Sequence, residues 1–155
     1  YHRESLALAR NPARVPALSG SAAVALEIFT RAKIGVETET LADGFLLGVL
    51  NGRLRENVVH FPTVADAARA LRDGAISAVL ATRAELEAAL QDVSGLPIDA
   101  ARFPELALDG WPLGMAVKVE QRELAEAVAG ALAELKRDGT VAEIFRRHGI
   151  SHMPA

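Results

Sequence analysis

The chain has 155 residues, half of them hydrophobic and 24% charged. That is the composition of a folded domain able to bury a core, and it excludes intrinsic disorder. A formal net charge of −3 with mixed signs offers no basic field for nucleic acid, and the absence of cysteine removes disulfides, thiolate nucleophiles and cysteine metal sites together.

No apolar run reaches the length of a membrane span, and the start lacks the basic and apolar regions of a signal peptide, so a mature or cleaved form is expected. Residues 10–21 carry Asn11-Pro12, Pro16 and Ser19-Gly20-Ser21, which is loop chemistry. From Ala22 to Ala32 the spacing of Val24, Ile28 and Ala32 predicts a short helix, broadened by Leu26 and Phe29. Ile34 to Glu37 reads as a strand. Thr40 with Asp43 three residues later forms a capping pair that opens a helix running to about Asn51-Gly52. A strand ending at a helix N-terminus is a ready anion site, because free N–H groups and the positive end of the helix dipole meet there. Thr40 also has the plain reading of a cap and nothing more.

Val58 and Val59 begin a second β-branched run, which Pro62 ends. Thr63 and Asp66 cap a helix that closes at Gly74, and Ala75 to Ala81 is a further apolar strand. Strand, crossover helix and strand in so few residues imply parallel strands joined right-handedly, hence an α/β sheet. Thr82 with Glu85 caps the next helix, Arg83 to Gln91. Residues 92–110 are punctuated by Ser94-Gly95, Pro97, Pro104 and Asp109-Gly110, with Phe103 and Leu106 to Leu108 as apolar anchors. Trp111 precedes a strand expected over Leu113 to Val119; it reads first as a packing residue and second as the wall of a cleft. The last helices are expected from about Arg122 to Arg137, with Leu124, Val128, Ala131, Leu132 and Leu135 on one stripe, and from Thr140, with Val141, Ile144 and Phe145 inward.

Catalytic and metal chemistry find little support. Glu37 and Glu39 alternate on what reads as extended chain and so share a face, a pattern open to acid–base work but more simply a pair of solvated carboxylates. His148 and His152 have helical ligand spacing, but Gly149 and Pro154 place them past a helix end. No nucleophile elbow, phosphate loop or dinucleotide fingerprint occurs, and no cofactor is expected. Arg53, Arg55, Arg69 and Arg72 read as solvated surface.

Several segments carry a resemblance to a known family. Lys33-Ile34-Gly35-Val36-Glu37, Ala70-Leu71-Arg72-Asp73-Gly74 followed by Ala75 to Thr82, Gly114-Met115-Ala116-Val117-Lys118, and Glu123 through Phe145 stand in the order seen in bacterial periplasmic solute-binding proteins of family 3, the polar amino-acid type. The resemblance covers residues 33–149. It implies an α/β chain of the type II periplasmic-binding-protein fold: a three-layer α/β/α lobe together with the C-terminal helices of the other lobe, the first lobe being largely missing. Tyr1 and Ser5 to Ala9 resemble the family's first hinge strand. The implied layout is a hinge strand at 1–9, the second lobe at 10–112, and at 113–155 a return hinge strand with helices that would pack on the first lobe. Those helices would otherwise expose an apolar face suited to dimerisation or swapping.

The resemblance also implies a ligand site, with Thr38, Glu39, Thr40, Thr82 and Trp111 as cleft candidates. Here the chain departs from the family. Glu39 stands where the amino-acid binders carry the glycine that admits the ligand carboxylate, Thr82 where they carry the aspartate for the ligand ammonium, and Ser77 where a further aspartate is frequent. The expected function is therefore a non-catalytic, periplasmic, solute-binding-like protein of the ABC-transporter type with degenerate amino-acid positions, binding a small polar solute or a periplasmic protein partner. The alternative is an accessory protein of a quinoprotein methanol dehydrogenase, suggested by the closing Ile144-Phe145-Arg146-Arg147-His148-Gly149-Ile150. An enzyme built on the same fold, such as a dehydratase, is the third class.

Overall fold

The computed structural model describes residues 1–106 and 110–155. The chain divides into two compact units, one holding residues 5–106 and the other Tyr1–Glu4 with Gly110–Ala155. The expected anchors Ala107 and Leu108, and Asp109 of the expected turn, lie outside the described residues.

In the order of the chain the elements are β1 (His2–Glu4), β2 (Leu6–Arg10), α1 (Ala22–Ala25), β3 (Ile34–Glu37), α2 (Leu41–Gly48), β4 (Val58–Phe61), α3 (Val64–Arg72), β5 (Ala78–Thr82), α4 (Arg83–Leu90), β6 (Ile98–Ala100), β7 (Trp111–Leu113), α5 (Arg122–Arg137) and α6 (Thr140–Arg147). The larger unit is a five-stranded sheet in the order β4-β3-β5-β2-β6. β3 runs parallel to both neighbours, pairing Ile34 with Val58 on one side and with Ala78 on the other, while β2 is antiparallel to β5 and β6. The strand–helix–strand reading of 58–81 is realised with β3 lying between its two strands.

Side-chain alternation sorts this core into two layers. Ala7 and Ala9 of β2 and Val79 and Ala81 of β5 pack with Val64, Ala67, Ala68 and Leu71 of α3 and Leu86 and Leu90 of α4. The intervening Leu6, Leu8, Ala78 and Leu80 are buried too, as are Leu26, Phe29, Ala42, Leu46 and Leu54 from the segments before β4. Strands buried on both faces are written as near-continuous apolar runs, which is why β2 and β5 show no polar alternation.

Four local expectations shift. The helix expected over 22–32 splits into α1 and a 3-10 turn at Glu27–Thr30, whose tighter winding buries both Leu26 and Phe29. α2 stops at Gly48, because Leu50, Asn51 and Gly52 all take left-handed backbone angles. β5 begins at Ala78 rather than Ala75, since Gly74 and Ala75 still bond back to Leu71 and Ala70 as the exit of α3. The loop expected over 92–110 contains β6, held on β2 and tied by Arg10 Nε donating to Asp99 Oδ2 at 2.5 Å. Three residues reading Ile-Asp-Ala carry no periodic signal of their own.

In the smaller unit β1 pairs antiparallel with β7, matching Glu4 with Trp111 and His2 with Leu113. Strand structure ends at Leu113; the strand expected to Val119 does not continue, and Met115 and Val119 are 60% and 77% exposed. No residue of α5 is fully buried, and Leu124, Leu135 and, in α6, Ile144 are exposed, whereas Val141 is buried. Residues 1–9 hold two strands: β1 lies in this unit, and β2 is an inner strand of the five-stranded sheet.

Gly139, at φ 83°, turns the chain between α5 and α6. Asp138 accepts the Thr140 N–H at 2.9 Å, and its hydrogen bonds to the Thr140 side chain and backbone hold its carboxyl below the usual aspartate value. A lowered carboxyl stabilises the ionised, folded form. Its contribution is therefore present above about pH 4 and is lost as pH falls through the lowered value. Thr140 amide exchange is expected to accelerate, relative to the intrinsic rate, below about pH 4 and not above it.

Candidate functional site

The C-terminal ends of the parallel strands β3, β4 and β5 lie along one edge of the sheet, and each leads into a helix. In open α/β sheets this edge is where ligands bind. Here each of the three helices is capped by a threonine. Thr40 accepts the Asp43 N–H at 3.3 Å, Thr63 accepts that of Asp66 at 3.1 Å, and Thr82 accepts that of Glu85 at 3.4 Å. All three caps follow from the Thr-x-x-Asp/Glu spacing, which places an N3 amide over the hydroxyl.

Acidic side chains take some of the other donors at these turns. Glu37 Oε2 accepts the Val64 N–H at the start of α3, 2.9 Å away. Asp43 reaches back from α2 so that its Oδ2 accepts the Glu39 N–H at 2.9 Å, while its Oδ1 meets His60 Nε2 at the same distance. Asp43 is buried, and the side chain of His60 is 40% exposed. Glu85 Oε2 accepts the Thr82 hydroxyl at 2.5 Å.

Glu39 differs in kind. Its φ is 62°, in the left-handed region that favours glycine. The side chain is exposed, and its carboxylate has no hydrogen-bond or ionic partner among the described residues. Strand geometry ends at Glu37, so the expectation that Glu37 and Glu39 share a face through extended alternation does not hold. The turn directs them separately: Glu37 reaches α3, and Glu39 remains in solvent.

The other sequence candidates fall in place as follows. Thr38 is exposed, with its N–H and hydroxyl both donating to the Phe61 carbonyl at 3.1 and 3.2 Å. Thr40 donates its hydroxyl to the Glu37 carbonyl at 2.8 Å. Thr82 ends the neighbouring strand β5, so Thr38, Glu39, Thr40 and Thr82 share one edge. Trp111 belongs to the smaller unit, half-buried in the β1–β7 ribbon. Sequence reasoning missed Asp43 and His60 as partners and Glu37 as the cap of α3. The only signal was the wealth of carboxylates around three helix starts.

Beside the starts of α3 and α4 lies an open depression of about 390 Å³, lined by Glu37, Thr63, Val64, Ala65, Glu85, Ala88 and Ala89. Its alanines create the space, and its rim offers carboxylate and hydroxyl oxygens. Chemically this edge presents acceptors. Donors at the helix starts that could hold an anion are in part already used by the chain's own acids.

This architecture is the type II periplasmic-binding-protein fold, with a sheet and flanking helices that superpose on amino-acid solute-binding proteins of ABC transporters. An ancestral cationic amino-acid solute-binding protein matches with a TM-score of 0.72 at 15% identity, over 95% of this chain and 58% of its own. An amino-acid ABC-transporter substrate-binding protein from Streptococcus pneumoniae, bound to L-arginine, gives 0.69 at 18% identity, over 96% of this chain and 58% of its own. An ancestral arginine-binding protein bound to glutamine gives 0.64 at 25% identity, over 95% and 60%. The chain thus spans 58–60% of the length of these structures. No family model matches the sequence, and no curated protein matches it significantly.

Proposed function

We propose that the chain is part of a non-catalytic, periplasmic, solute-binding-like protein of the ABC-transporter type whose edge at β3–β5 does not take an α-amino acid by its carboxylate. The observation that carries this reading is the turn at 38–43. The Glu39 N–H is already held by Asp43, and a second, unpartnered carboxylate stands at a left-handed position where a side chain crowds the approach. An anionic group brought here would meet the Glu39 carboxylate and find the Glu39 N–H already taken by Asp43. A solute with a cationic or hydroxyl-rich end suits the acceptors instead.

The test is thermal shift with L-arginine, L-glutamine and acidic amino acids. A site filled to about a hundred times its Kd would add roughly 2.7 kcal/mol, a rise of several degrees for a protein of this size. Shifts below about 1 °C with L-glutamine and the acidic amino acids are expected, and a rise of about 5 °C with either would overturn the reading, whereas a shift with L-arginine alone would fit capture of its cationic end.

A second reading has one observation in its favour. Met115, Val119, Leu124 and Ile144 expose apolar surface within the smaller unit, and such patches serve protein contacts. The partner would be a missing lobe, a second copy in a swapped or plain dimer, or a periplasmic protein such as a quinoprotein methanol dehydrogenase. Light scattering of the purified protein separates the self-association arm from the others.

A further inference from the structure

Asn51 and Gly52 form the chain's single Asn-Gly pair, and they sit in the reversal that ends α2. Leu50, Asn51 and Gly52 take φ of 54°, 55° and 77°, three left-handed residues in succession. Glycine and asparagine adopt that region readily and leucine does not. Buried Leu46 and Leu54 anchor the segment on either side. The links across the reversal face water: Arg55 Nε donates to the Leu47 carbonyl at 3.0 Å, and Arg53 pairs with Glu27 at 2.7 Å with both side chains about half exposed. The Arg53 N–H donates to the Leu50 carbonyl at 3.3 Å. The Arg55 side chain lies so close over Gly52 that a Cβ there would stand 2.9 Å from its Nε. Asn51 itself is exposed, and its amide has no hydrogen-bond partner among the described residues.

An asparagine followed by glycine is open to attack by the next main-chain nitrogen, because glycine puts no side chain in the way. The Gly52 nitrogen, its proton given up to hydroxide, bonds to Asn51 Cγ; the Cγ–Nδ2 bond breaks and Nδ2 leaves as ammonia with a proton from water. Water then opens the imide ring. Cleavage of the ring bond at Cγ leaves an aspartate at position 51, and cleavage at the main-chain carbonyl carbon leaves an isoaspartate, which has one more carbon in the main chain. The closed reversal forbids the first step. At ψ 35° the Gly52 nitrogen stands nearly anti to Asn51 Cβ, whereas ring closure needs the two nearly eclipsed about the Cα–C bond. The peptide must swing to the other side of that bond, which takes Gly52 away from Arg55 and pulls Arg53 off Leu50.

We propose that Asn51-Gly52 is a latent deamidation site, silent while the reversal is closed and converted when it opens, with Arg55 as the clasp that sets how often it opens. An exposed segment held by few contacts opens locally at less cost than the whole domain unfolds. Left-handed strain at Leu50 works in the same direction. Isoaspartate lengthens the main chain inside a turn built residue by residue on left-handed angles, so conversion to it makes the open form permanent.

The test is peptide mapping by mass spectrometry of the full chain, aged at neutral pH in native buffer and in unfolding urea, with amide exchange read on matched samples. Conversion at position 51 is expected to be at least about tenfold slower in the native chain than in the unfolded one, yet to proceed. Arg55→Ala should raise the native rate at least about threefold and leave the unfolded rate alone. Exchange of the Arg53 amide should rise by the same factor, while that of Ala67 within α3 should not move. Equal native and unfolded rates would show that the turn gives no protection, and a native chain untouched when the unfolded one is fully converted would show that it does not open. An unchanged rate in Arg55→Ala, or an equal rise at Ala67, would remove Arg55 as the clasp. Each of these overturns the proposal. Should Arg55→Ala not fold, wild-type conversion and Arg53 exchange followed together through sub-denaturing urea decide it: parallel rises support the gate, and divergence sinks it.

Discussion

Asp43→Ala is expected to destabilise the larger unit by about 2 kcal/mol, lowering Tm by roughly 4–8 °C. Three losses contribute unequally. The first is the acceptor for the Glu39 N–H, 2.9 Å away in a turn that already carries left-handed strain. A donor left without its partner costs about 1–3 kcal/mol where water cannot fully replace it. The second is a carboxylate in the first turn of α2, which interacts with the helix dipole by about 0.5 kcal/mol. The third, the contact with His60, is the smallest, because that imidazole is 40% exposed and regains water readily. Asp43→Asn separates the terms: it keeps an oxygen for the Glu39 N–H and gives up only the charge, so it should recover more than half of the loss. Urea denaturation of both variants checks this. A change within about 0.5 kcal/mol for Asp43→Ala would show that the turn does not depend on Asp43.

Much of this edge could be read before any coordinates, and the reason is locality. The threonine caps at 40, 63 and 82 and the helices they open are specified within four residues by a hydroxyl and an N3 acid, and β3 was bounded where it lies, at Ile34 and Glu37. What sequence could not supply were the contacts between segments. Val64 to Glu37 spans 27 residues and His60 to Asp43 spans 17; each depends on which strands become neighbours, and that is decided by packing. The same holds for β6, a strand only because β2 offers it an edge. The left-handed turn at Glu39 escaped for another reason: its residue type argues against its conformation. Local preference and observed backbone disagree there, and such conflicts are where function or its loss tends to reside.

Glu39→Gly is accordingly expected to stabilise the protein by about 1 kcal/mol. A non-glycine residue at φ 62° pays a steric cost of roughly 1–2 kcal/mol that glycine does not. The larger freedom of glycine in the unfolded chain returns part of the gain, up to about 1 kcal/mol. Relief of repulsion adds a little on the favourable side, since Glu37 and Asp43 stand close by in sequence and Glu39 has no counter-charge among the described residues. The substitution also removes a carboxylate from the turn, and with Thr82→Asp it installs two of the three residue types that the resemblance to amino-acid binders implies, Ser77 being the third departure. Stability and binding can therefore be scored separately, by urea denaturation without ligand and by thermal shift with L-arginine and L-glutamine. A stability gain without new binding would leave the strain argument standing and place the binding defect elsewhere, with Asp43 still occupying the Glu39 N–H. A loss of stability on removing Glu39 would mean that its side chain supports the turn, and the account of this edge as a ligand turn closed by its own residues would fail.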